Sequence, residues 1–120
     1  MFVHWGPTAV YEGDYNGQEV VTYADWMMFG QQIDVADYTS DAQQFNPVDF
    51  NAEDWALLAK AAGQKYIVLT AKHHDGHALW PSAASPFDIA DVSGFPRNIL
   101  QELVDACRKH GLKVGFYYSH

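Results

Sequence analysis

Five side chains that can do chemistry fall within six positions: Lys72, His73, His74, Asp75 and His77. A neutral histidine offers one hydrogen-bond donor and one acceptor, a pairing that suits polyols. Two more histidines, His4 and His120, also follow short apolar runs. Three readings compete. His73, His74, Asp75 and His77 are metal-ligand types, but adjacent residues on an extended chain point apart, and no H-E-x-x-H pattern is present. A sugar-binding pocket would use the histidines for hydroxyls and Trp5, Trp26 or Trp80 for the apolar faces of a ring. The third reading ties the histidines into backbone hydrogen bonds. Histidines at several strand ends favour the sugar pocket.

The elements around these groups set where they go. Tyr66-Ile67-Val68-Leu69-Thr70-Ala71 reads as a buried strand over 66–71, followed by a turn at Gly76. Met1-Phe2-Val3 and 112–118 read as two further strands, ending at His4-Trp5 and Ser119-His120. Between them lie helical patterns. Asn51 caps one, with a stripe of Trp55, Leu58, Ala59 and Ala62 closed by Gly63. Pro96 opens another, with a stripe of Leu100, Leu103, Val104 and Cys107 closed by Gly111. Thr22-Tyr23-Ala24-Asp25 resembles a capping box and predicts a short helix over 23–29, ended by Gly30. Residues 7–21, 31–50 and 78–95 read as loops. Alternation of β and α elements predicts parallel strands with crossover helices, so the strand ends share one face and their histidines converge there. Opening and closing on strands is the pattern of a portion of a larger domain.

Composition narrows the partners. Apolar residues make up 48%, enough for a core. Net charge is −8, which repels phosphate backbones and argues against nucleic acid. No apolar run approaches the roughly 20 residues of a membrane span. The single cysteine, Cys107, excludes an internal disulfide. The residues ahead of the first motif are not expected to be a signal peptide.

Four segments together resemble the α-L-fucosidases of glycoside hydrolase family 29. They are Phe2-Val3-His4-Trp5-Gly6-Pro7, Phe45-Asn46-Pro47-Val48-Asp49-Phe50, the stretch from Lys65 to Gly76 with its K-H-H-D-G motif, and the stretch from Val104 to Ser119. The resemblance implies an α/β fold, the first three strands of a (β/α)8 barrel, with residues 1–120 the N-terminal portion of one catalytic domain. It implies a retaining exo-glycosidase that releases terminal α-L-fucose from fucosylated glycans, without metal or organic cofactor. It makes His4, His73 and His74 the histidines that contact fucose hydroxyls. It aligns Asp25-Trp26 with the family's Glu-Trp pair at the sugar pocket, and the shorter Asp25 changes that contact. His77 stands where the family has an aromatic.

The family's nucleophile is an Asp at the end of the fourth barrel strand, and its acid/base lies further on. None of the fifteen acidic residues here takes either role, and Asp75 is expected to shape the turn with Gly76. Residues 1–120 alone are therefore expected to be inactive, and unstable because three strands leave an open edge. The alternatives are a non-catalytic fucose-binding relative and a metal-dependent barrel hydrolase. Glycan substrates suit a secreted, periplasmic or lysosome-like compartment, and the family leaves room for a homo-oligomer.

Overall fold

The computed structural model describes all 120 residues. Strands β1 (Phe2–Val3), β4 (Tyr66–Lys72) and β5 (Lys113–Tyr118) form one sheet in the order β1-β4-β5. Both pairings are parallel, with Phe2 opposite Val68 and Ile67 opposite Val114. The expected three strands and their direction are therefore present. All three deliver their C-terminal ends to the same edge.

Two helices make the crossovers. Helix α3 (Ala52–Ala61) starts at Asn51, whose side chain accepts the N–H groups of Glu53 and Asp54. Helix α5 (Ile99–Lys109) starts at Asn98, whose side chain accepts Gln101 N–H. Pro96 lies ahead of that cap, so the helix begins later than expected. Both helices end in the same paired-bond cap. Gly63 N–H donates to Lys60 O and Gln64 N–H to Ala59 O, while Gly111 N–H donates to Arg108 O and Leu112 N–H to Cys107 O. The cap needs a residue at positive φ, and Gly63 and Gly111 supply 72° and 73°.

The core lies between the helices and one face of the sheet. Ile67 and Leu69 of β4 meet Ala56 and Ala59 of α3 and Ile99, Leu103 and Cys107 of α5. Here two stripes differ from expectation. In α3 the buried side is the small-residue line Ala52, Ala56 and Ala59, and Leu58 is 64% exposed. In α5 the fully buried residues are Ile99, Leu103, Ala106 and Cys107, with Leu100 and Val104 at the margin. A line of alanines lets α3 sit close to its neighbours, and apolar periodicity alone does not reveal that.

Three stretches read as loops hold short elements. Asp14–Tyr15 (β2) and Gln18–Glu19 (β3) form a hairpin around Asn16-Gly17, both at positive φ as a two-residue hairpin turn demands. Helix α2 (Val35–Ala42) is capped by Asp34 and buries Tyr38 and Ala42. Helix α4 (Ile89–Ser93) is capped by Asp88, which accepts Ala90 and Asp91 N–H. The expected helix over 23–29 is instead a 3-10 turn, Ala24–Trp26, running into α1 (Met27–Gly30). Its capping box does not form: the cap position is Tyr23, which makes no side-chain cap bond, and the Thr22 hydroxyl donates to Tyr23 O.

Candidate functional site

Strand β4 carries one irregularity. Thr70 pairs with Tyr117 and Lys72 with Tyr118, so Ala71 is an extra residue. A bulge of this kind twists a strand end and re-aims the side chains beyond it. The chain then turns at once. Gly76 N–H donates to His73 O at 3.0 Å, and Gly76 takes φ +81°. Asp75 holds the turn from inside, accepting His77 N–H at 3.2 Å on one oxygen and the Tyr38 hydroxyl at 2.7 Å on the other. Asp75 thus shapes the turn as expected, with help from Tyr38, which the sequence pattern does not single out. Burial raises the Asp75 pKa, against the lowering effect of those two bonds.

The histidine rings meet at the strand ends. His4 lies 5.4 Å from His73, and His73 lies 4.5 Å from His74 with the rings nearly perpendicular. His73 also stacks on Tyr117 at 4.8 Å. Phe2, two residues before His4 and so on the same strand face, stacks on that ring at 4.9 Å. His120 does not join the group, and its ring lies 6.2 Å from Tyr118.

Hydrogen bonds fix the donor and acceptor atoms of two of the three rings. His4 Nδ1 donates to Asp25 Oδ2 at 2.8 Å, which leaves its Nε2 as an acceptor. His74 backbone N–H donates to His73 Nδ1 at 2.8 Å, so the proton of the neutral His73 ring sits on Nε2. That Nε2 stands 3.6 Å from the same Asp25 oxygen. Burial lowers the His73 pKa, the Asp25 charge opposing it, and keeps this tautomer neutral near pH 7. His74 Nδ1 lies 2.8 Å from the Ser119 hydroxyl. Ser119 comes from the end of β5 and is buried. The cluster therefore carries an acceptor on the exposed His4, a donor on His73 that faces Asp25, and a His74 ring held at Nδ1 with its Nε2 unengaged.

Of the three tryptophans proposed for a sugar face, one stands at the cluster. Trp26 is 49% exposed and its ring lies 4.7 Å from that of His74. Trp5 instead packs into the core against Phe45, Phe50 and Trp55. Trp80 lies against Tyr118 at 6.2 Å. The Trp5 backbone N–H donates to the Thr70 hydroxyl at 3.2 Å.

The four residues weighed as metal ligands do not share a centre. His77 is buried away from the others' open side, and Asp75 is engaged by Tyr38 and the turn. A different trio, His4, Asp25 and His73, brings ligand-type atoms within 4.8 Å of one another. In that trio the His73 atom that faces Asp25 carries the ring proton. A cation there would have to displace it while His73 Nδ1 is already accepting from His74 N–H. As folded, His4 is hydrogen-bonded to Asp25 and His73 Nε2 stands 3.6 Å from it.

The whole of residues 1–120 matches the family model described as "Alpha-L-fucosidase". The tissue alpha-L-fucosidase of Rattus norvegicus is 38% identical over 99% of this chain. Among solved structures, the alpha-L-fucosidase of Vibrio sp. strain EJY3 superposes over 100% of the chain with a TM-score of 0.94 and 42% identity. A GH29 alpha-L-fucosidase of Bacteroides thetaiotaomicron, trapped as a covalent intermediate with 2-fluoro-fucosyl fluoride, superposes over 97% with a TM-score of 0.91 and 37% identity. The chain spans 27% of the rat protein and 21% and 26% of the two structures. With the sheet, its strand-end histidines and these matches all running through the same 120 residues, the chain belongs to the α-L-fucosidase family.

Proposed function

We propose that the strand-end cluster is the fucose-binding part of the active site of a retaining exo-α-L-fucosidase, in which His4, Asp25, Trp26, His73 and His74 hold the sugar. One observation carries this reading: rings from two strand ends converge, the His4 and His73 tautomers set by Asp25 and by His74 N–H, and His74 held by Ser119. Each hydroxyl of a pyranose both donates and accepts, and a cluster of imidazole nitrogens can meet it in either sense. Trp26 beside His74 offers a flat apolar face for the ring carbons and methyl of a fucosyl group.

In this reading the three-stranded parallel sheet is the start of a (β/α)8 barrel, and residues 1–120 are the N-terminal portion of its catalytic domain. A barrel site sits at the C-terminal ends of the strands, where the cluster lies. The retaining reaction uses two carboxyl groups about 5–5.5 Å apart, one a nucleophile at the anomeric carbon and the other an acid and then a base. Neither Asp25 nor Asp75 is proposed for these roles, since one is spent on His4 and the other on Tyr38 and the turn. The part of this chain is to hold the sugar with hydrogen bonds that strengthen as the ring flattens toward the transition state. The Bacteroides relative's covalent fucosyl intermediate supports the retaining chemistry.

The test is hydrolysis of an aryl α-L-fucoside by the protein expressed from its complete reading frame. Expected is nitrophenol release with retention of configuration, falling at least tenfold in kcat/KM for His73→Phe and for Trp26→Ala. Full activity in both variants, or no release by the parent, would overturn the reading.

A further inference from the structure

His77 is the one buried side chain whose hydrogen-bonding groups are left over. It is 2% exposed, and neither Nδ1 nor Nε2 has a partner. The ring is flanked edge-on by Phe87 at 5.2 Å and Phe45 at 6.1 Å, which offer no hydrogen bond. Leaving a buried polar group unmet is costly, and such groups in folded proteins are nearly always satisfied by protein or by ordered water.

His77 lines a small cavity of about 10 Å³ whose wall also includes Thr70, Asp75, Asp25 and His73. That volume is close to the space one water needs. Thr70, 2% exposed, has capacity to spare. Its hydroxyl accepts Trp5 N–H at 3.2 Å, but its own proton meets only carbonyls at 3.4 and 3.5 Å. A water needs two to four polar partners, and Thr70, His77 and Asp75 on this wall are polar.

We propose that this cavity is a binding site for one ordered water, ligated by a ring nitrogen of His77 and by the Thr70 hydroxyl. The water joins the buried histidine to the Asp25 and His73 side of the cluster from behind. The site lies behind Asp25 and His73, away from the Trp26 side of the cluster. It explains how a histidine is tolerated between two phenylalanine edges.

Two measurements test it on the protein expressed from its complete reading frame. A high-resolution crystal structure should show a water within about 2.7–3.2 Å of a His77 ring nitrogen and of the Thr70 hydroxyl. A dry cavity, or a water that touches neither ring nitrogen, overturns the proposal. Thermal melts at pH 7.5 of Thr70→Val, His77→Phe and the double variant supply the second. Sharing one water makes the two changes non-additive, so the double variant loses less Tm than the two single losses combined. Additive losses, or a rise in Tm for both single variants, overturn it. Should His77→Phe fail to fold, the water in the unaltered protein decides alone.

Discussion

His77 makes acid stability measurable at one residue. Burial holds its pKa at about 4 instead of 6.5, with only the nearby Asp88 carboxylate pulling upward. The groups that face it are few. Asp88 at the head of α4 is spent on Ala90, Asp91 and Ser82 N–H, and Asp75 on its own turn is spent on Tyr38 and His77 N–H. Between the two pKa values the unfolded chain takes up a proton that the folded chain refuses. Stability contributed by neutral His77 is therefore whole above about pH 7, falls as the pH drops through 6.5, and is fully lost by about pH 4. Each pH unit costs about 1.36 kcal/mol, so the window of roughly 2.5 units costs about 3 kcal/mol. The side chain is 2% exposed, so solvent does not dilute this figure.

The assay is thermal melting of the parent and of His77→Phe in half-unit steps from pH 7.5 to 4. The difference between the two cancels the other titrating groups. The phenylalanine is slightly larger, and any packing penalty it carries is independent of pH. The variant should gain about 3 kcal/mol on the parent across the window. For a domain of roughly 150–250 residues that is about 6–12 °C. A difference that stays flat with pH would refute the reasoning, because it would mean that His77 charges as readily in the folded protein as in the unfolded one.

Other outcomes come from the same contacts. Ser119→Ala removes the hydroxyl that orients His74, and should raise KM for an aryl fucoside about 2- to 10-fold, the worth of one neutral hydrogen bond, with little change in melting. Asp25→Ala withdraws the acceptor that sets the His4 tautomer, and should lower kcat/KM about 10- to 100-fold. Leu103→Ala opens a cavity at a fully buried site between α5 and the sheet, and should cost about 2–5 kcal/mol in a denaturant melt. The isolated 120-residue chain leaves Phe2, Phe116 and Tyr118 exposed on its two edge strands, and should sediment as aggregate; a cooperative monomeric melt would count against that.

The sheet and its two crossover helices were legible because their signals are local. β-branched runs, the Asn51 cap and glycines after the last turn each act within a few residues, and the caps at Asn51, Gly63 and Gly111 all form. Short elements escaped because their stability comes from packing and not from propensity. Helix α2 is built from Val35-Ala36-Asp37-Tyr38-Thr39-Ser40-Asp41-Ala42, a poor helical run held by the Asp34 cap and by burial of Tyr38. The Asn16-Gly17 hairpin carried a readable turn signal, but its strands are only two residues each and lack alternation. Trp5 was misplaced because sequence shows that an aromatic follows a strand, not which way it turns.

The histidine pair shows where strand logic stops. Alternation sets neighbouring side chains on opposite faces, and applied to His73 and His74 it keeps them apart. The alternation holds only while the chain is extended, and here the strand ends at Lys72, one residue before the pair. The Ala71 bulge and the Asp75-Gly76 turn then bring the two rings to 4.5 Å, edge to face. One ring is anchored through its neighbour's N–H and the other through Ser119 on the adjacent strand. Two consecutive residues thus work as independent hydrogen-bonding groups on one surface. Their spacing depends on the bulge and the turn, so a change that straightens β4 at Ala71 should disable the cluster without touching a histidine.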